Sequence, residues 1–256
     1  MSEAWFQLLR GVAFVAAVAL ALGLQRLTPH ARPRGSWQVN GGLWCVNLLV
    51  VGLACGACAC TVARWAAGAR FGVLNVVPMP GWCAVPVTLV ALDFVSYGWH
   101  RANHRIPFLW RFHRVHHTDP SLTVSTGVRF HPGELLLSFP VRLGAVALLG
   151  ASAEAVVLFE ACFTVANLLE HGDIDLPLRF ERALGRVCVT PALHRRHHAK
   201  LGPDRDPNFG TIWSIWDRLL GTFVDNDSAT AVDTGLPGFD HVTLPRALVL
   251  PLRRTA

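Results

Sequence analysis

Five long apolar runs constrain this chain more than any other feature. Residues 5–24, 39–63, 82–98, 135–149 and 152–170 each approach the length of a bilayer-crossing helix, which is roughly 20 residues. The composition agrees. The chain has 256 residues, is 52% hydrophobic, and has a mean hydropathy of +0.38. Charged residues make up 16%, against roughly 25% in an ordinary soluble domain. That is too little charge to cover a water-soluble globule of this size. Disorder is excluded by the abundance of apolar material. The 22 Gly and 16 Pro are scattered, so no fibrous repeat is present. The length allows one domain or at most two. The expectation is an all-α integral membrane protein, a helical bundle of four to five hydrophobic segments treated as a single domain over 1–256.

The runs also give a topology. The first carries Arg10 near one end and has no clear small-residue cleavage site, so it reads as an anchor rather than a removed signal. The third is entered through Pro78, Pro80 and Gly81. The fourth and fifth meet at Gly150 and form a membrane hairpin over 135–170 that either spans or only partly crosses. Two polar segments, 99–133 and 171–225, flank this hairpin. An even number of crossings separates them, so both lie on one side of the membrane. Both are rich in Arg, which by the positive-inside rule makes that face cytoplasmic. The 25–38 loop, with Arg26, Arg32 and Arg34, falls on the same side. The 64–70 loop falls outside although it carries Arg64 and Arg70. The N-terminal helices occupy 1–98. The tail, 226–256, ends in LPRALVLPLRR, a stretch suited to the membrane surface.

Two other patterns carry less. The formal charge is +6, with Lys200 as the only Lys. The Arg residues flank apolar segments and His clusters instead of forming a face with stacking residues, so anionic lipid headgroups fit better than nucleic acid. Cys55, Cys58 and Cys60 are spaced like metal ligands, but they sit inside an apolar run with no second Cys pair nearby. They read as small apolar residues of a membrane helix, and the odd total of 7 Cys argues against a disulfide framework.

The histidines carry the chemistry. Ten of the 12 fall between residues 100 and 198. His100 and His104 are spaced i, i+4 in WHRANH, which puts both imidazoles on one helical face. His113, His116 and His117 follow in FHRVHH, and His194, His197 and His198 repeat the spacing in LHRRHH. His-x-x-His-His offers one helical face plus a neighbour able to turn toward a second centre. His171 closes the fifth run in NLLEHGD, and His131 lies in RFHPGE. Imidazoles gathered this densely on one membrane face are expected to bind metal. A structural zinc site would stop at four ligands, so this set is enough for two metals. Carboxylates near the His are few: Asp93, Asp119, Glu134, Glu170 and Asp173. A largely uncompensated cation pair favours anionic oxygen species derived from dioxygen or hydroxide. At the boundary between bilayer and cytoplasm, a lipid chain can enter from one side and reductant from the other. An unactivated C–H bond offers no handle to acid–base chemistry, which favours oxygenase over hydrolase.

At this point the sequence resembles the fatty acid hydroxylase/sterol desaturase superfamily, in particular its bacterial members. The matching stretch runs from about Asp93 to Phe223 and includes DFVSYGWHRANHRIPFLWRFHRVHHTDP, TGVRFHPGE, HGDIDLP, TPALHRRHH and DPNFGTIWSIWDRLLGTF. The resemblance implies a helical membrane fold with a cytosolic His-rich cap over a di-metal centre, and the region 93–223 as catalytic. It implies two Fe ions, with Zn as a possible substitute, and O2-dependent hydroxylation or desaturation of a lipid such as a fatty acyl chain or sterol. By motif, the metal ligands it implies are His100, His104, His113, His116, His117, His171, His194, His197 and His198. No catalytic residue beyond these is implied. Some relatives have a His where this chain has Asn167, one turn before His171. Asn208–Phe209–Gly210 stands where relatives often have Asn-Tyr-Gly.

Other residues are weighed beside these. His131 is expected next to a ligand or on the substrate side, with a place among the ligands as the alternative. Asp93, two turns before His100 in an apolar span, is expected to bond a ligand imidazole. Tyr97, the only Tyr, is expected to anchor at the interface. Trp213, Trp216 and Asp217 are expected to pack the cap, with Asp217 pairing an Arg. Asn208 either bonds a ligand or caps a helix. The expected function is a di-iron oxygenase in a bacterial inner membrane, with an external electron donor that is a separate ferredoxin, cytochrome or reductase. Two other readings stay open: a zinc-dependent membrane hydrolase using the same His cluster, and a non-enzymatic metal-binding membrane protein. Nearly charge-free first and second runs disfavour the second.

Overall fold

The computed structural model describes residues 3–31, 36–54, 59–77, 79–200, 207–225 and 232–253. Cys55 and Cys58, and with them most of the Cys cluster, lie outside the described residues, as do Arg32, Arg34 and Pro78. The described residues are helical and contain no strand, only three isolated bridges such as Pro29–Ile174. In chain order the helices are α1 (Glu3–Leu27), α2 (Trp37–Ala54), α3 (Ala59–Gly68), α4 (Val73–Val76), α5 (Gly81–Arg105) and α6 (Pro107–His117). After a 3-10 turn at Val124–Val128 come α7 (Pro132–Leu149), α8 (Ala153–His171), α9 (Leu178–Leu184), α10 (Pro191–His197), α11 (Ile215–Leu219) and α12 (Leu244–Val249).

Among the described residues, three helical stretches are long and apolar enough to cross a membrane: Leu8–Leu27, Gly81–Arg105 and Pro132–Leu149. The protein is an integral membrane protein. In the second apolar run the described residues form α2 and α3, and residues 55–58 between them lie outside the described residues. The fifth run forms α8, which carries Glu154, Glu160 and Glu170 along its 19 residues. α8 packs against α1, α3 and α5, with Glu154 exposed near its start and Glu170 buried near its end. Glu160 takes the guanidinium of Arg10 on α1 at 2.6 Å.

α7 and α8 are joined at Gly150, the left-handed cap of α7 (φ 71°). They then part, and each packs against α3 and α5. Gly72 (φ 93°) presses on this turn so closely that a Cβ there would meet the Ala147 carbonyl at 2.4 Å. Cys60, Ala63, Leu92, Val146, Ala153 and Phe159 form the core at this end.

The opposite end holds every His-bearing segment. The C-terminal ends of α5 and α8, the start of α7, and α6 and α10 gather there. The 99–133 and 171–225 segments therefore share one end of the bundle, as the crossing count requires. A buried polar network fixes this end. Arg129 donates to Asn40 at 2.7 Å, to Thr118 at 2.7 Å and to the Val115 carbonyl at 3.0 Å. Asn40 and Thr126 both donate to Asp119, at 2.9 and 2.8 Å. The network pins α2 to the end of α6. The tail packs in as well. Ala247 and Leu250 sit in a core with Leu43 and Val115, and Arg114 donates to the Leu250 carbonyl at 2.6 Å.

Candidate metal centre

Nine imidazoles converge at this end and fall into two groups. His100, His104, His113, His117 and His197 form the first. His116, His171, His194 and His198 form the second. Within each group the nearest ligand-type atoms all lie within 4.8 Å of one another. The groups abut: the His117 and His198 rings stack at 4.2 Å.

The helices explain the partition. On α6, His113 and His117 are one turn apart and enter the first group, whereas His116 turns to the second. On α10 the sense is reversed: the i, i+4 positions His194 and His198 enter the second group, and His197 turns back to the first. Residues i+3 and i+4 straddle a helical face, separated by about 100°, so one short helix can serve both groups. α5 contributes the pair His100 and His104 to the first group. α8 contributes His171 to the second. Asn167, one turn before His171, donates its side-chain amide to the Gly127 carbonyl at 2.7 Å, and its own carbonyl accepts from His171 Nδ1 at 2.6 Å.

Ring orientation is set from outside. Each of several Nδ1 atoms faces an acceptor that has no hydrogen to give, so Nδ1 must carry the proton. His197 donates to the Pro207 carbonyl at 2.8 Å, His100 to the Phe209 carbonyl at 2.9 Å, and His116 to the Arg129 carbonyl at 3.3 Å. His113 donates to Glu134 at 2.8 Å. Burial holds His116, His117, His194 and His198 well below the ordinary imidazole range, and neighbouring imidazoles push the same way. Burial lowers His197 to about 3. Near neutral pH these rings are neutral, with Nε2 bare on those whose Nδ1 holds the proton.

This arrangement fits a cation. The His116 and His171 Nε2 atoms meet at 2.9 Å, yet each ring has its hydrogen on Nδ1. Two lone pairs facing at that distance repel unless one positive centre is shared by both rings. The buried Nε2 atoms of His100 and His197 have no hydrogen-bond partner, a costly condition that a metal would relieve. Clustered neutral imidazole suits iron, zinc or copper.

Several expected roles fall elsewhere. Asp93 does not bond an imidazole. Its carboxylate accepts from Trp216 Nε1 at 2.8 Å and from the Ile212 and Trp213 amides at 3.2 and 3.4 Å, so it ties α5 to the 212–216 turn. His131 lies outside both groups. Its Nδ1 accepts from the Gly133 amide at 2.9 Å, capping α7, and its Nε2 donates to the Leu248 carbonyl at 3.1 Å. Asn208 touches no ligand-type His. It sits at φ 58° and bonds the Leu193 carbonyl and the Val224 backbone. It thereby shapes the loop whose flanking carbonyls orient His197 and His100. Tyr97 is buried, not interfacial, and bonds Thr222 at 2.9 Å. Asp217 accepts from the Phe209 and Gly210 amides at 2.7 and 2.9 Å and from Thr222 at 2.7 Å. Its hydrogen bonds go to these groups and not to an Arg.

Sequence reasoning noted Glu134 and Glu170 only as nearby acids. Glu134 accepts from both His113 and Asn103. Glu170 Oε2 lies 3.7 Å from His194 Nδ1, and neither atom has a hydrogen-bond partner. The carbonyls of Pro207, Phe209 and Arg129 carried no sequence signal at all.

A cavity opens beside the imidazoles between α5, α7 and α8. His100, His113, His116, His171 and His194 line one end. Val95, Trp99, Phe130, Leu135, Val141 and Phe163 line its apolar walls.

Comparison with known proteins agrees with this picture. The family model described as fatty acid hydroxylase matches residues 85–222, more than half of the chain. The chain belongs to the fatty acid hydroxylase family. It is 35% identical over 156 residues to the ornithine lipid hydroxylase OlsE of Rhizobium tropici, covering 60% of this chain and 46% of that protein. It is 28% identical over 142 residues to the alkylglycerol monooxygenase of Danio rerio, covering 54% and 30%. It is 30% identical over 154 residues to a cholesterol 25-hydroxylase-like protein of Danio rerio, covering 59% and 57%. The chain thus spans between about a third and somewhat over half of these relatives' own lengths. No solved structure matches it.

Proposed function

We propose that this protein is a membrane monooxygenase that hydroxylates a C–H bond of a lipid, using two irons held by the nine imidazoles. The observation that carries the reading is the placement of two abutting imidazole groups at one end of an apolar cavity between membrane helices. The relatives, an ornithine lipid hydroxylase, an alkylglycerol monooxygenase and a cholesterol 25-hydroxylase-like protein, point the same way.

His100, His104, His113, His117 and His197 would hold one iron, and His116, His171, His194 and His198 the other. Bound there, the irons would supply the activation of dioxygen that a C–H bond requires. The balance is one lipid C–H bond, one O2, two external electrons and two protons, giving one alcohol and one water. The chain's own residues position the reaction. Glu134 and the Arg129, Pro207 and Phe209 carbonyls hold the rings in one tautomer and orientation. Val95, Trp99, Leu135 and Phe163 offer an apolar path for an acyl chain and exclude water from its reacting carbon. A separate redox protein supplies the electrons. The Arg-rich His face is cytoplasmic in a bacterial inner membrane.

The test is oxygen incorporation. Cells expressing the protein under labelled dioxygen should yield a lipid carrying one labelled hydroxyl, and His116→Ala or His197→Ala should abolish it. Zinc retained by the purified protein, with full turnover of an ester in the absence of oxygen, would establish a hydrolase instead.

A further inference from the structure

Arg142 is an ionisable residue on the membrane helix α7 that the metal centre does not use. Charge within an apolar span is expensive and is normally paired. Its neighbourhood does not balance it. Arg142 and Glu160 line the same small cavity, but Glu160 is already bonded to Arg10 at 2.6 Å. Two cations therefore face one carboxylate. Among the described residues, the contact shown for the Arg142 guanidinium is the ring of Phe163, 5.6 Å below it, and no carboxylate pairs with it.

Arg142 also lines the larger cavity that ends on the imidazoles. Glu134, Ser138 and Arg142 follow one face of α7 at i, i+4 and i+8, and all three line that cavity. Glu134 bonds His113, so Arg142 lies about 12 Å further along the helix from the metal end. Its side chain is exposed, and helical side chains lean toward the helix N-terminus, here the metal end. Phe163 across the cavity holds the guanidinium at the wall.

We propose that Arg142 seats an anionic oxygen group, a carboxylate or a phosphate, of the lipid that occupies this cavity. The substrate class is then an anionic amphiphile rather than a neutral sterol or hydrocarbon. The guanidinium fork offers two parallel donors to such a group. Seating it a fixed distance from the imidazoles decides which carbon of the chain reaches them. This rests on the cavity being the lipid site proposed above, so the test reads binding and not turnover.

Purified protein in nanodiscs of neutral lipid is titrated with hexadecanoate, lysophosphatidate and methyl hexadecanoate, displacing a fluorescent fatty acid. The wild type should bind at least one of the two anions about tenfold more tightly than the ester. Arg142→Gln should remove that preference and leave ester binding unchanged, and Arg142→Lys should retain most of it. The anion that loses affinity identifies the source as carboxylate or phosphate. Equal affinity of all three probes for the wild type, equal losses for all three in Arg142→Gln, or no loss in a variant that keeps the wild-type unfolding temperature would each overturn the assignment. Anion preference without any oxygen incorporation would sink the oxygenase reading alone.

Discussion

His116 and His171 meet Nε2 to Nε2 at 2.9 Å, although 55 residues of chain separate them. The Arg129 carbonyl fixes the proton of one ring, and the Asn167 carbonyl that of the other. Both lone pairs are therefore turned on the same point. Four predictions follow from this convergence and from the groups that enforce it.

Metal stoichiometry should respond to single residues according to group. His116 serves the smaller group and His197 the larger. His116→Ala or His197→Ala should each lower bound iron from about two per chain toward one, and the double variant toward none. Elemental analysis of protein purified without added metal measures this. Two irons retained in either single variant would contradict the assignment.

Glu134 should matter although it stands outside both imidazole groups. Its loss leaves the His113 Nδ1–H without an acceptor in a buried site. Glu134→Ala should lower metal affinity or turnover by about 10- to 100-fold. Glu134→Gln should lose less, because the amide oxygen still accepts. Competition against a metal chelator gives the comparison, and equal losses in the two variants would point to a role other than holding the ring.

The metal should stabilise the fold. Lone pairs that repel in its absence are relieved when it binds, and binding at 100 times Kd adds about 2.7 kcal/mol. A strong chelator should therefore lower the thermal unfolding midpoint of the wild type. It should leave the His116→Ala/His197→Ala double variant unmoved. Differential scanning fluorimetry in detergent reads both.

Asp93 should prove structural. Asp93→Asn replaces a carboxylate that accepts three N–H donors with an amide that brings two N–H groups of its own. At least one of the three N–H donors then loses its acceptor and faces the new amide N–H groups, at about 1–3 kcal/mol for each unmatched donor. The unfolding midpoint should fall while iron content stays at about two per chain. Loss of iron without loss of stability would return Asp93 to the metal site.

Much of the candidate site was legible before any coordinates. The i, i+4 and i, i+3, i+4 spacings of histidine mark helical faces, and α5, α6 and α10 are helices that carry them. Counting apolar crossings placed the two His-rich segments together, because a membrane-spanning chain must return an even number of times to the same side. Asp93 and Tyr97 were misjudged for a related reason. Sequence places them on the face leading to His100, but the 207–222 loop folds over that face and takes their hydrogen bonds. Asp217 was expected to find an Arg and instead receives backbone amides, which composition cannot display.

Nine clustered histidines and an apolar helical bundle were determined by sequence alone, because periodicity and hydrophobic length are local properties. The division of those histidines into five and four was decided only by tertiary structure. A helix presents its i+3 and i+4 positions about 100° apart, and only the neighbouring helices determine which centre each direction meets. The same holds for the ring tautomers. They depend on carbonyls of Arg129, Pro207 and Phe209, and a backbone carbonyl is common to every residue until the fold aims it.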